Sequence, residues 1–331
     1  MIPLGLNPYG LTYVLGIQGE GTPRANPAGR GLDGFIDIAA GLGAKVVELH
    51  YGWLAKATEA ALAELQVRLS RLAMTPVIST RLAPNVHDGE VRTATRLGAK
   101  TIRLSLTKVL CGDRHTLGDE WPRLVASVRT RLSDLAWLAQ ERGIRLAIEN
   151  HQDFTSTELL ELAASAGSNI GLCFDLGNPF AVAEAPLDFA RRVAGNVQHI
   201  HIKDYRVQFT NEGFRLVRTV VGDGTVPIRE ILDVLAAKQA LPTATLELAA
   251  LEVRHIRLFR PEWWNGYPPA TGPALAACLA AARRNHLPES TDYRTPWERG
   301  LPADVIIAFE LGQVRNSLAK LKASGIVEGG G

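Results

Sequence analysis

The sequence has few cysteines, no long run of charges of one sign and no long apolar segment. Its three cysteines, Cys111, Cys173 and Cys278, are odd in number and widely spaced. This argues against a disulfide framework or a cysteine-based zinc site and favours reduced thiols. The formal net charge is only +2, which argues against the concentrated basic face of a nucleic-acid-binding protein. No apolar run approaches the roughly 18 residues of a membrane span. Residues 1–13 lack the basic and apolar regions of a signal peptide. We therefore expect a cytoplasmic protein without nucleic-acid or membrane partners.

Short apolar runs alternate eight times with longer amphipathic or Ala/Leu-rich segments. Runs rich in Val, Ile and Leu are typical of parallel strands that are buried on both faces. The predicted strands are residues 13–18, 45–51, 75–81, 101–107, 145–151, 170–178, 197–205 and 243–251. The predicted helices are residues 32–42, 58–73, 87–97, 121–141, 157–165, 186–194, 228–237, 274–284 and 302–323.

This alternation predicts an α/β fold, specifically a (β/α)₈ TIM barrel with a C-terminal helical extension. A complete barrel needs about 250 residues, and the chain has 331. No Gly-x-Gly-x-x-Gly turn follows the first predicted strand, which weakens the alternative of an open Rossmann sheet. We predict that residues 1–258 form the barrel. An aromatic loop and helices at 259–326 would complete the same domain, and 327–331 would form a tail.

The last four predicted barrel strands each carry an ionisable residue near the carboxyl end, where barrel active sites lie. These residues are Glu149, Asp175, His201 and Glu247. A charged side chain in an apolar strand is costly unless it is paired or bound to a metal. Four such residues at matching depths are better explained by one shared cation than by four separate coincidences. Three carboxylates and one imidazole suit Mn²⁺, Mg²⁺ or Co²⁺, and we predict Mn²⁺.

The segments IENH, CFDLGN, HIHIKD, GDGTVP and LEL resemble the xylose-isomerase-like, or sugar phosphate isomerase/epimerase, superfamily of barrels. The resemblance extends over residues 13–251. It implies that the four residues above bind one divalent metal and that Glu149 and Glu247 also transfer protons. Ketose 3-epimerases carry a histidine where this chain has Asn178, and Arg206 matches their arginine only approximately. The sequence from His201 to Asp204 instead resembles subgroups that include inosose dehydratases.

Other residues near the predicted catalytic end are candidates for supporting roles. His151 lies two positions after Glu149 and therefore on the same side of an extended strand, and Lys203 could neutralise an enolate. The alternatives are a hydrogen bond from His151 to a metal-binding carboxylate and a salt bridge between Lys203 and Asp204. Candidate substrate contacts are His50, Arg81, Asn178, Arg260, Trp263 and Trp264. For the tryptophans, packing of the extension on the barrel is an equal alternative.

Two kinds of metal-dependent reaction fit these residues. An isomerase or epimerase would abstract a proton beside a metal-bound carbonyl of a sugar or oxo-sugar and return it. A lyase would start in the same way and then eliminate a group, as expected of an inosose-type dehydratase, a C-glycoside deglycosidase catalytic subunit or an oxo-sugar-acid decarboxylase. An apurinic-site endonuclease is disfavoured because it needs more metal ligands and a basic surface. We expect a small carbohydrate substrate, and the sequence is compatible with a homo-oligomer or a small second subunit.

Overall fold

Eight short parallel strands form the centre of the protein. The computed structural model describes residues 1–3, 5–83 and 88–327. The barrel strands are β1 (Gly5–Leu6), β2 (Val46–His50), β3 (Thr75–Arg81), β4 (Thr101–Ser105), β5 (Arg145–Glu149), β6 (Ile170–Asp175), β7 (Val197–Ile202) and β10 (Thr243–Leu246). They close in the order β1-β10-β7-β6-β5-β4-β3-β2, which confirms the predicted TIM barrel.

Apart from the short α2, which was not predicted, the helices follow the predicted segments to within a few residues at each described end. They are α1 (Gly31–Gly41), α2 (Tyr51–Leu54), α3 (Glu59–Arg71), α4 (Asp88–Leu97), α5 (Glu120–Glu141), α6 (Ser156–Ala166), α7 (Pro186–Val193), α8 (Ile228–Ala236), α9 (Gly272–Arg283) and α10 (Ala303–Ala323). Local sequence sets some of their boundaries. Thr155 and Glu158 form a reciprocal capping box at the start of α6, which satisfies amides that the helix leaves without partners.

The prediction of a first strand at residues 13–18 is wrong, because the first barrel strand is Gly5–Leu6 and residues 13–17 lie in turns and loop. Leu6 pairs with Leu246 on one side and with Val47 on the other. Tyr13, Val14 and Leu15 of this apolar run are instead buried in the hydrophobic clusters. The buried Glu310 carboxylate of α10 accepts the backbone amides of Tyr13 at 3.0 Å and Val14 at 2.9 Å.

A second sheet, antiparallel and three-stranded, was not predicted. It consists of β8 (Tyr205–Thr210), β9 (Gly213–Arg218) and β11 (Arg254–Ile256), in the order β11-β9-β8. The predicted strand at 197–205 therefore ends at Ile202, and a hairpin follows. This hairpin and β11 are inserted after β7 and β10, at the carboxyl end of the barrel.

The C-terminal helix α10 joins the core of the barrel. Its Val314, Leu318 and Leu321 are buried in the main hydrophobic cluster. Val327 pairs with Ile2, so the end of the described chain lies beside its beginning. The remainder of the predicted tail, residues 328–331, and the predicted helix start at residue 87 lie outside the described residues. In the described part of the chain, no helix is both long and apolar enough to cross a membrane.

Candidate metal centre

Strand register places the four predicted metal ligands on the inner face of the barrel. Asp175 pairs with His201, and His201 pairs with Thr245, two positions before Glu247. Glu149 pairs with Cys173, two positions before Asp175. Because side chains alternate between the two faces of a strand, all four ligands share the inward face. They lie at the carboxyl end, where barrels carry their active sites.

The four side chains come together as one buried group. One donor atom from each of Glu149, Asp175, His201 and Glu247 lies within 4.8 Å of all the others. His201 Nδ1 is 3.2 Å from Glu149 Oε1 and 2.9 Å from Glu247 Oε2. A cation about 2.1 Å from each donor would separate opposite donors by about 4.2 Å, so this spacing fits a single small divalent ion.

Within the described part of the chain, two carboxylate oxygens of this group lie close to cationic or imidazole nitrogens without a regular hydrogen bond. Among the described residues, neither Asp175 Oδ2 nor Glu247 Oε2 accepts a hydrogen bond of acceptable geometry, although both are buried. Each nevertheless faces a nitrogen: Lys203 Nζ lies 2.5 Å from the former, and His201 Nδ1 lies 2.9 Å from the latter. Buried oxygens without hydrogen-bond partners are unusual. Their presence, with mainly oxygen donors, fits Mn²⁺, Mg²⁺ or Co²⁺.

A second group of possible metal donors lies deeper in the barrel and shares His201. It consists of Cys173, His199 and His201. Both ring nitrogens of His199 already have partners, with Nδ1 2.9 Å from Thr243 Oγ1 and Nε2 3.3 Å from Glu48 Oε2. Burial raises the pKa of the Cys173 thiol to about 12, so it is protonated near neutral pH. We therefore favour the group with three carboxylates.

Two buried residues that the sequence analysis did not select support these ligands. Glu48 on β2 accepts from His201 Nε2 at 2.7 Å, which leaves Nδ1 directed at the carboxylates of Glu149 and Glu247. Arg103 on β4 forms an ion pair with Glu149, and its Nε lies 3.9 Å from Glu48 Oε1. Partners of this kind fix the orientation of metal-binding side chains. The signal in the sequence was a single charge inside each of the apolar strands VVELH and TIRLS.

Lys203 lies between two of the predicted ligands. Its Nζ is 2.6 Å from Glu247 Oε1 and 2.5 Å from Asp175 Oδ2. Burial opposes ionisation of Glu247, but Lys203 and His201 outweigh it and hold the pKa of this carboxyl well below its usual range. Burial also opposes ionisation of Glu149, but the charge of Arg103 outweighs it and lowers the pKa of this carboxyl to about 2. Both glutamates are therefore ionised near neutral pH.

The salt bridge between Lys203 and Asp204 that the sequence suggested as an alternative is not formed. The Asp204 carboxylate accepts the amides of Gly222, Gly224 and Val226 at 2.9–3.0 Å. A side chain on Gly224 would place its Cβ 2.0 Å from Asp204 Oδ1, so this close approach requires glycine. The GDG motif therefore holds a loop beside Lys203.

Two of the predicted supporting residues, His151 and Asn178, lie beside the predicted metal ligands. Burial lowers the pKa of His151 to about 4 although the Glu149 charge opposes this, so its imidazole is neutral. Asn178 is buried, donates its backbone amide to Asp175 Oδ1 at 3.1 Å and accepts from the Tyr205 hydroxyl at 3.3 Å.

His50 and Arg81 end β2 and β3 at the mouth of the barrel. Tyr9, which follows β1, also faces this mouth. Burial is the main cause of its raised pKa, with smaller effects from Arg103, Glu247, Glu149 and Arg81. Tyr9 was not selected from the sequence, because the first strand was predicted in the wrong place.

The other three predicted substrate contacts are engaged elsewhere. Trp263 is fully buried, donates to the carbonyl of Cys111 at 3.1 Å and stacks on Tyr267. Trp264 donates to the carbonyl of Leu258 at 2.9 Å, and Arg260 forms an ion pair with Glu212. These contacts favour a packing role for the aromatic loop. A role in substrate binding stays a prediction.

Comparison with known families matches residues 87–262 to the xylose isomerase-like TIM barrel model. This match covers more than half of the chain, and the chain therefore belongs to the xylose isomerase-like TIM barrel family. The resemblance inferred from the sequence motifs is confirmed.

Individual relatives are distant. The chain is 26% identical over 145 residues to the inosose dehydratase of Clostridium botulinum (strain Alaska E43 / Type E3), across 39% of this chain and 47% of that protein. The chain spans less than half of the length of the curated relatives that it matches.

Among solved structures, a D-psicose 3-epimerase with D-tagatose from Clostridium cellulolyticum H10 is similar, with a TM-score of 0.56 and 16% identity. The alignment covers 98% of this chain and 99% of that one. A xylose isomerase-like TIM barrel protein from Mycobacterium smegmatis in complex with magnesium has a TM-score of 0.52 and 18% identity, over 76% and 88% of the two chains. At these identities the likeness establishes the fold alone.

Proposed function

We propose that this protein is a divalent-metal-dependent enzyme that removes a proton beside a carbonyl group of a sugar or oxo-sugar. The observation that carries this proposal is the buried group of three carboxylates and one imidazole with donor atoms within 4.8 Å of one another. Glu149, Asp175, His201 and Glu247 would hold the metal, with Mn²⁺ preferred and Mg²⁺ or Co²⁺ as alternatives. A divalent cation bound there would act as a Lewis acid on the substrate carbonyl.

The residues of the chain supply the remaining chemistry. Glu149 and Glu247 are ionised and are the candidates for the base that takes the proton. The Lys203 ammonium is held beside Glu247, where it would stabilise negative charge that develops on a substrate oxygen. His151, neutral near the same carboxylates, would donate a hydrogen bond to a substrate hydroxyl. His50, Arg81 and Asn178 are the proposed contacts to the rest of the sugar.

Two outcomes of the proton removal remain as candidate functions. Return of the proton to the substrate would make the protein an isomerase or epimerase, the activity named for the similar D-psicose 3-epimerase structure. Loss of a neighbouring group would make it a lyase. The lyase is favoured by the sequence similarity to inosose dehydratases and by Asn178, which replaces the histidine of the ketose 3-epimerase motif.

Solvent-deuterium exchange tests this proposal. Mn²⁺-loaded protein is incubated in D₂O with ketoses, inososes and 3-oxo-glycosides, and NMR follows both deuterium incorporation and product formation. Deuterium incorporation or an epimerised product indicates an isomerase or epimerase, and release of water or of an aglycone indicates a lyase. Failure of every substrate to exchange a carbon-bound proton, in protein that holds stoichiometric metal, would contradict the proposed reaction.

A further inference from the structure

A cavity of about 850 Å³ lies at the carboxyl ends of β3 and β4, against α5. Most of its wall is apolar, formed by Leu82, Leu106, Val109, Leu110, Leu117 and Leu124. Arg81, Thr107, Lys108, Asp113, Thr116 and Arg131 contribute polar groups. A volume of about 300–1,000 Å³ accommodates an entire drug-sized ligand. A small sugar held at the carboxylate group would leave this space unfilled.

The cavity adjoins the proposed catalytic site. Arg81 ends β3 at the barrel mouth and is close enough to His50 and Tyr9 to contribute to the pKa shifts that burial mainly causes in them. Thr107 donates to the carboxylate of Asp153 at 2.7 Å, four residues after Glu149 in the chain. Arg81 therefore lies both in the wall of the cavity and at the barrel mouth, and a substrate reaching past Arg81 from the carboxylate group would enter the cavity.

The catalytic group does not need the charge of Arg81. Its three carboxylates already have cationic partners, with Arg103 paired to Glu149 and Lys203 paired to Asp175 and Glu247. Arg81 is exposed, and within residues 5–83 and 88–327 its side chain forms no ion pair or hydrogen bond.

The rest of the cavity has a similar excess of positive charge. Lys108 is exposed and has no ion-pair partner among the described residues, and Arg131 donates Nε only to the carbonyl of Ser127. The acid in the described wall, Asp113, already lies 3.5 Å from Arg257. An apolar cavity with unneutralised cations at its edge is complementary to an apolar group that carries a negative charge.

We propose that this cavity binds the part of the substrate remote from the reacting carbon, and that this part is an apolar, ring-sized group bearing a carboxylate. Apolar surface of the ring would pack on the leucines, and the carboxylate would pair with Arg81 and Lys108. This assignment rests on the proposed function, and it places substrate specificity on the β3 and β4 side of the barrel rather than in the aromatic loop.

Binding of two matched probes tests the assignment without using turnover. Biphenyl-4-carboxylate and its neutral amide are titrated into Mn²⁺-loaded protein by calorimetry. We expect the carboxylate to bind about tenfold more tightly, because only the charged probe can pair with Arg81 and Lys108. Arg81→Met should remove most of that preference. Arg129→Met, the same loss of charge on the exposed side of α5, should leave it unchanged.

Filling the cavity provides the second arm. Leu117→Trp should weaken the binding of both probes by about tenfold or more. If Leu117→Trp lowers the thermal transition of the protein, Val109→Phe is used as the cavity-filling variant instead. Equal binding of the two probes, no measurable binding of either, or unchanged binding in the filled variants would overturn the assignment. Asp175→Ala, which removes a metal ligand, should retain the charge preference. Loss of the proposed reaction therefore remains distinguishable from failure of the cavity assignment.

Discussion

Arg103 and Arg114 are both buried, but their surroundings differ in one important respect. All three guanidinium nitrogens of Arg114 donate hydrogen bonds, to Asp153, Glu158 and Gly266, and the group lies over the ring of Tyr267. Arg103 pairs with Glu149, but its Nε has no hydrogen-bond partner among the described residues. Nearby Glu48 Oε1, Asp175 Oδ2 and Glu247 Oε2 also lack one.

The difference distinguishes the hydrogen-bond network of Arg114 from the proposed catalytic site. Buried polar groups are normally satisfied, because each one left without a partner costs about 1–3 kcal/mol. The Arg114 network meets this requirement and ties the aromatic loop to the start of α6. Among the described residues, the carboxylate group meets it only in part, since Asp175 Oδ2 and Glu247 Oε2 face Lys203 and His201 without regular hydrogen bonds, as expected of a site that a cation would complete.

Loss of a metal ligand should have the largest effect. We expect Asp175→Ala and His201→Ala to lose most bound metal while the barrel remains folded, because each removes one of four donors. Elemental analysis of purified protein and circular dichroism measure the two properties. Full metal stoichiometry in both variants would show that the carboxylate group is not the metal site.

Loss of the base should reduce turnover more than substrate affinity. We expect Glu149→Gln or Glu247→Gln to lower kcat by about 10²–10⁴-fold on the true substrate, because a neutral amide cannot take the proton. Steady-state kinetics at saturating Mn²⁺ separates kcat from KM. A variant with near wild-type kcat would exclude that glutamate as a proton carrier.

Arg114→Met should disrupt the hydrogen-bond network around Arg114 and leave the predicted metal site intact. Removal of one partner from a buried ion pair costs about 3–5 kcal/mol, so denaturant unfolding should show a loss of this size. Metal content should not change. Arg103→Met is the matched variant, and there we expect Mn²⁺ to raise the thermal transition more than in the wild type, because the cation compensates Glu149. An equal rise in both variants would contradict the distinction between the networks.

Asp153, whose backbone carbonyl accepts from Arg114, predicts a pH dependence of stability. Burial raises the pKa of this carboxyl to about 6, although Thr107 and Arg114 oppose the shift. A raised carboxyl pKa means that its contribution to stability is present below about pH 4 and is lost as the pH rises through 6. Relative to Asp153→Asn, the wild type should therefore lose about 2–3 kcal/mol of unfolding free energy across this range. Parallel stability profiles for the two proteins would show that the shift is absent.

The smallest effect is expected in the aromatic loop. Trp264 is only partly buried and is held by Leu258, so Trp264→Phe should lower the unfolding free energy by about 1 kcal/mol and leave relative kcat/KM values unchanged. A changed substrate preference at constant metal content would instead support the role in substrate binding that the sequence suggested for Trp263 and Trp264.

The sequence predicted the barrel and the ligand group because both depend on a repeated local pattern. Seven strands were identified by apolar runs, and four of them carry the predicted ligands, whose side chains the structure brings together. The first strand was missed since two residues, Gly5–Leu6, are too short to show a pattern. The run at residues 13–18 misled the prediction because its amides bond to nearby carbonyls and, at Tyr13 and Val14, to Glu310 almost 300 positions away.

The supporting residues were harder to identify because their role depends on neighbours that are distant in sequence. Glu48 is 153 positions from His201, and Arg103 is 46 positions from Glu149. A charged residue in an apolar strand indicates a buried partner but does not identify it. The cavity between β3, β4 and α5 is likewise a property of three separate segments.

The two-residue alternation of the barrel strands limits how this family can change by insertion and deletion. One residue added within β7 before His201 would turn that side chain, together with every residue between it and the insertion, toward the outer helices. Two added residues would restore the face but raise the imidazole by one level, away from Glu149 and Asp175. Viable length changes are therefore expected only in the loops, where they alter which molecules can enter while the donors keep their positions.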